Sequence, residues 1–338
     1  MNPTVHLSID TCFASKRWPM PRDWAPIVAD LGIRHVELGA DTEADPMYHG
    51  DEYLRDWDDQ VAEECARNGL RVASLYSGHG SYGTMGLLHP DERIVRRMID
   101  SWLKPTIRRA AFHGADLGFF FHAVAEADLH DSERYARVMR TLALRLTEGA
   151  TEAKAHGVRL ALEQMYSPNQ PPWTIEGSRE LMRTVTASGS PLYITVDTGH
   201  ASAQHRFAGS QAVDSDPYAW LRAVGPYSPV IHLQQTDGTV SGHRPFTDET
   251  NGGGIIAPDA VLRALHAGFA SAEAEPDAGL PPVVDSLYLT LEVFAPTAQP
   301  SEDLLQDLAD SAAHWRRWIP EDGRRLNDLV AAMSGDAR

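Results

Sequence analysis

Leu192-Tyr193-Ile194-Thr195-Val196-Asp197-Thr198-Gly199-His200 runs through five apolar or β-branched residues without polar alternation, then closes on a carboxylate, a glycine and an imidazole. A strand with one wet face alternates polar and apolar residues. A run without alternation predicts a strand buried on both faces, as in a parallel sheet covered by helices. Working outward, seven comparable short segments recur at residues 5–10, 35–39, 71–77, 116–122, 159–164, 230–234 and 288–293. Amphipathic stretches lie between them, such as 53–68, 131–156 and 175–188. Several reach the next strand through a glycine, as in Leu31-Gly32-Ile33, Asn68-Gly69-Leu70, His113-Gly114-Ala115 and His156-Gly157-Val158. Glycine there is a helix C-cap that lets the chain reverse. Eight such units predict a closed (β/α)8 TIM barrel over residues 1–338 as a single domain. Residues 271–282 read as a surface insertion, and about 320–338 as a charged helical tail.

The chain's 338 residues and 43% hydrophobic content suffice for one large core. A net charge of -17 opposes binding to a phosphate backbone and suits a divalent cation site, so no nucleic-acid partner is expected. Only Cys12 and Cys65 are present, too few for a disulfide framework or a thiolate zinc site. No apolar run approaches the ~18 residues of a membrane span, and no export signal opens the chain. The expectation is a cytoplasmic protein with no membrane partner.

In a barrel of this kind the reactive side chains sit where strands end. The fifth segment ends in Glu163, the sixth in Asp197, the seventh carries His232 and the eighth Glu292. Any one of these acids alone reads equally well as a helix cap or an ion-pair partner. Three carboxylates converging on one spot repel each other and are costly to bury, and a divalent cation relieves both problems. Mixed oxygen and imidazole donors favour Mn²⁺, Mg²⁺, Co²⁺ or Fe²⁺, with Zn²⁺ as a further option. A metal chelating a sugar carbonyl makes the adjacent C–H acidic, so that a carboxylate or imidazole can take the proton and leave an enediolate.

Other residues carry two readings each. Gly78-His79-Gly80-Ser81-Tyr82-Gly83 has dinucleotide-fingerprint spacing, but Gly86 and Pro90 interrupt the helix such a site requires. A substrate loop, with Tyr76 and His79 facing the pocket, is the better expectation. His122 is either a core histidine or a barrel-mouth acid/base, and Glu37 is comparable. The polar–aromatic loops 10–18 and 166–173, the latter with Trp173, line a substrate cleft or an interface. His205, Arg206, His243 and Arg244 either clamp an anion or are solvated loop charges.

The segments Leu162-Glu163-Gln164, Val196-Asp197-Thr198-Gly199-His200, Ile231-His232-Leu233-Gln234-Gln235-Thr236-Asp237 and Leu291-Glu292-Val293 resemble the sugar phosphate isomerase/epimerase superfamily of xylose isomerase-like TIM barrels. The resemblance spans nearly the whole chain. It implies that Glu163, Asp197, His232 and Glu292 bind one divalent metal, with Mn²⁺ the favoured ion. It also implies that Glu163 and Glu292 double as acid/base groups, that His200 lies near the substrate, and that Asp237 follows the metal-binding histidine in the substrate site. More narrowly, the loops 13–18, 76–80 and 172–175 resemble the alpha subunits of bacterial C-glycoside deglycosidases. That resemblance implies carbon–carbon cleavage of a 3-oxo-C-glycoside, with His122 or His200 protonating the aromatic leaving group, and a small beta subunit as partner. The alternative is an isomerase or epimerase of a sugar or sugar phosphate.

Overall fold

The computed structural model describes residues 1–78, 83–207 and 210–335. Eight strands lie in parallel: β1 (Thr4–Asp10), β2 (His35–Gly39), β3 (Arg71–Ser77), β4 (Asp116–Phe119), β5 (Leu160–Glu163), β6 (Leu192–Asp197), β7 (Val230–Leu233) and β8 (Ser286–Leu291). Each pairs with the next. β1 closes the ring between β8 and β2, its Ile9 facing Leu291 on one side and Val36 on the other. This is the (β/α)8 barrel expected from the unalternated strands. Every residue of β2, β4, β5, β6 and β7 is buried. Each large aliphatic side chain taken out of water there contributes roughly 1.5–3 kcal/mol.

The helices begin and end on the expected chemistry. Asp131 caps Ser132–Ala155 by accepting the backbone N–H groups of Glu133 and Arg134. Helices Asp51–Asn68 and Lys104–His113 end on Gly69 and Gly114, whose φ of 66° and 65° lies in the left-handed region where a side chain is strained.

Most strand ends fall within two residues of expectation, and three expected features differ by more. β4 stops at Phe119 rather than His122, because the chain there leaves the barrel: the Phe121 carbonyl accepts from Leu87, and His122 bridges Gly86. Within the expected insertion at 271–282, the helix Pro258–Ala274 simply runs on through Ala274. The tail opens not as a helix but as a short strand β9 (Arg324–Arg325), antiparallel to β1, before helix Leu326–Gly335.

Two irregularities prepare the barrel interior. The β2–β3 register skips a residue after Val36, which sets Ser74 opposite Glu37. On β4, a Cβ at Gly118 would lie 3.1 Å from the Tyr76 ring, so the glycine leaves room for that phenol inside the barrel.

Candidate active site

The ends of β5, β6 and β7 and the residue after β8 bring Glu163, Asp197, His232 and Glu292 together, all buried. One donor atom from each lies within 4.8 Å of the others. His232 is gripped from both sides. Its Nε2 donates to Glu37 Oε1 at 2.8 Å, while its Nδ1 lies 2.8 Å from Glu163 Oε1 and 3.4 Å from Glu292 Oε2. Glu37 is held in turn by the Ser74 hydroxyl at 2.6 Å, the pairing that the β2–β3 register shift creates. Tyr76 donates its hydroxyl to Glu163 Oε2. The Asp197 Oδ1 accepts the backbone N–H groups of Gly199 and His200, at 2.6 and 2.9 Å.

Three carboxylates are buried here around one imidazole, and their charges are strongly interdependent. Burial pushes the Glu292 carboxyl well above the ordinary range; His232 opposes this, and the negative charges of Asp197 and Glu163 reinforce it. Burial disfavours charge on His232, yet Glu292, Glu37 and Glu163 outweigh it and hold the imidazole well above its usual value. Burial likewise works against ionised Asp197, but His200, His243 and His232 keep its carboxyl below the usual range. Glu292 Oε2 is buried without a directed hydrogen bond. Donors around one ion at ~2.1 Å sit at most about 4.2 Å apart, so only a small inward adjustment converts this set into a coordination shell. The three carboxylates and one imidazole fit a divalent metal site.

Beside the cluster lies a cavity of ≈ 660 Å³, lined among others by Asp10, Asp41, Tyr76, Tyr166, His200, His243 and Phe294, together with Glu163 and Glu292. His200 Nδ1 donates its N–H to the Gln164 carbonyl at 2.8 Å, which fixes the ring. His243 reaches in from the loop after β7, with its Nδ1 3.3 Å from Glu292 Oε2 and its ring edge-on to Phe294.

Among the expected site residues, Glu163, Asp197, His232, Glu292, Tyr76 and His200 meet at this place. His79 lies outside the described residues, although Gly78 and Gly83 on either side of it both line the cavity. Asp237 does not face the cavity. It is exposed and spends its carboxylate on Thr239, accepting its N–H at 2.9 Å and its hydroxyl at 2.6 Å, because the loop turns outward there. His122 is the core histidine: it is wholly buried, is hydrogen-bonded to the Pro171 carbonyl, does not line the cavity, and is lowered by burial to about 4. Trp173 stands away from the cavity too, half-buried with its ring edge-on to Phe207. Asp10 was expected only as part of the loop 10–18, and Asp41 and Gln234 had no role of their own; Asp10 and Asp41 line the cavity, and Gln234 bonds Asp197. Asp10 carried a usable signal, since it ends β1 as Glu163 ends β5.

A closed parallel barrel whose strand ends gather three acids and an imidazole is the architecture of a metal-dependent TIM-barrel enzyme, and the sequence narrows the class. The chain belongs to the xylose isomerase-like TIM barrel family, whose model matches residues 26–310, and with it to the sugar phosphate isomerase/epimerase superfamily. It is 28% identical over 327 residues to a D-erythrulose 1-phosphate 3-epimerase of Brucella abortus (strain 2308), covering 95% of this chain and 98% of that protein. A candidate xylose isomerase from Rhodospirillum rubrum ATCC 11170 shares the fold at a TM-score of 0.76 and 24% identity, covering 94% of this chain and all of that one. A D-psicose 3-epimerase from Clostridium cellulolyticum H10, solved with D-tagatose, superposes at a TM-score of 0.62 with 14% identity, over 93% of this chain and 98% of that one. No helix among the described residues is long and apolar enough to cross a membrane.

Proposed function

We propose that this protein is a metal-dependent epimerase that inverts the hydroxyl-bearing carbon next to the carbonyl of a ketose or ketose phosphate. The observation that carries the reading is the meeting of two carboxylates from different strands, Glu163 and Glu292, in one cavity at the same His232 nitrogen. Epimerisation needs two proton-handling groups on one carbon, one to remove the proton and one to return it to the opposite face. The resemblance to a ketose-phosphate 3-epimerase over nearly the full length of both chains supports the same reaction.

A divalent ion held by Glu163, Asp197, His232 and Glu292 would supply Lewis acidity toward the carbonyl oxygen, with Mn²⁺ favoured by the mixed donor set. The remaining tasks fall to the chain. Tyr76 orients Glu163 by donating to its outer oxygen, leaving the other toward the cluster. Asp10 and Asp41 offer acceptors for sugar hydroxyls, and Tyr166 and Phe294 give the cavity an apolar flank against which a sugar ring can lie.

The cleavage of 3-oxo-C-glycosides expected from the loop resemblance shares the proton removal and differs only in the next step, the expulsion of a carbon leaving group. The relatives named above include two 3-epimerases, which favours epimerisation, and the small beta subunit belongs to the cleavage reading alone. Of its two suggested proton donors, His122 is sealed in the core, whereas His200 lines the cavity. Incubating the Mn²⁺-loaded protein with ketoses and ketose 1-phosphates in D₂O should give deuterium at carbon 3 together with the epimer, read by NMR. Release of free aglycone from a 3-oxo-C-glucosyl flavone, with no exchange into any ketose, would transfer the assignment to cleavage. Glu163→Gln and Glu292→Gln should each lower turnover by at least about 10²-fold in a folded protein. Near-normal activity in either variant removes that residue from the proton path.

A further inference from the structure

Gln234 stands one residue beyond β7 and is wholly buried. Its Nε2 donates to both oxygens of Asp197, each at 2.9 Å. Its Oε1 accepts two backbone N–H groups, from Gly242 at 3.0 Å and His243 at 2.6 Å. Only one orientation of the amide serves all four contacts, because a carboxylate can only accept and a backbone N–H can only donate. The side chain is also held from behind: a Cβ on Gly199 would lie 2.2 Å from Gln234 Cδ. His243 itself has φ 46°, a left-handed conformation that a residue bearing a side chain keeps only when its surroundings hold it there.

Resting on the metal-centre reading above, we propose that Gln234 is a positioning residue that ties the Asp197 carboxylate to the backbone carrying His243. Seating a divalent ion on Asp197 then also sets His243 at the cavity. Metal binding and the placement of a cavity-lining imidazole are thereby one event, transmitted through a single amide.

The test uses the full-length protein stripped of metal and titrated with Mn²⁺ by calorimetry, with hydrogen exchange followed over residues 239–244. In the wild type, Mn²⁺ should slow exchange in that segment. Gln234→Met keeps the length of the side chain but lacks the amide; it should bind Mn²⁺ about 10–100-fold more weakly and lose the Mn²⁺-dependent protection. Gly199→Ala, which wedges the amide aside without removing it, should move both readouts in the same direction. If Gln234→Met does not fold, the wild-type exchange and Gly199→Ala decide alone. Wild-type protein that binds Mn²⁺ without any change at 239–244, or folded variants with wild-type affinity and protection, overturns the role of Gln234 and leaves the metal centre standing. Wild-type protein that binds no Mn²⁺ overturns the metal centre itself.

Discussion

His232 can present Nδ1 to the cluster because Glu37 already occupies its Nε2. A carboxylate behind a ligating imidazole fixes the ring and raises its basicity. Glu37→Gln keeps the shape but removes the charge, and should weaken Mn²⁺ binding about 10–100-fold, measured by calorimetry on metal-free protein; unchanged affinity would show the contact to be incidental. Glu37 was visible in the sequence only as a strand residue with two readings, because its aim depends on a skipped residue in the β2–β3 register. The four candidate ligands were legible for the opposite reason. Each ends or follows an apolar run, and the end of a barrel strand has only one place to point. Asp237 and His243 lie in one loop, and their placement is tertiary: the turn hands Asp237 to Thr239 and solvent, and brings His243 to Glu292.

At the scale of elements, the far end of the barrel carries its own titratable group. His35 at the start of β2 sits with His6 of β1, Tyr288 of β8 and Arg71 of β3, its ring 4.4 Å from that of His6 and 5.2 Å from that of Tyr288. Burial, then the charges of His6 and Arg71, push His35 down to about 3. A histidine with a lowered folded value is neutral in the fold while the unfolded chain takes up a proton, so stability falls as pH drops below the ordinary value of 6.5 toward 3. His35→Gln should therefore show a shallower loss of urea midpoint between pH 7 and pH 4 than the wild type. Parallel curves would mean that His35 contributes nothing to acid sensitivity. Helices and strands were largely legible because their periods and caps are local. The end of β4 was not, since Phe120-Phe121-His122 is as apolar as a strand and leaves the sheet only to meet Gly86 and Leu87 from a distant segment.

For the molecule as a whole, four separate strand ends contribute to one ion site, so metal should stabilise the closed barrel as well as activate it. Treatment with EDTA should abolish turnover and lower Tm, and Mn²⁺ should restore both. At a hundred times Kd, binding adds about 2.7 kcal/mol to the folded state. Activity and melting indifferent to EDTA would count against the centre. The sequence alone determined the barrel and its four candidate ligands, because strand burial and the direction of strand ends follow from patterns a few residues long. Only the tertiary structure decided which other polar groups join them. Glu37, Gln234 and His243 reach the cluster through a register shift, a buried amide and a left-handed loop residue, and each meets chain that is remote in sequence: Ser74, Asp197 and Glu292 respectively.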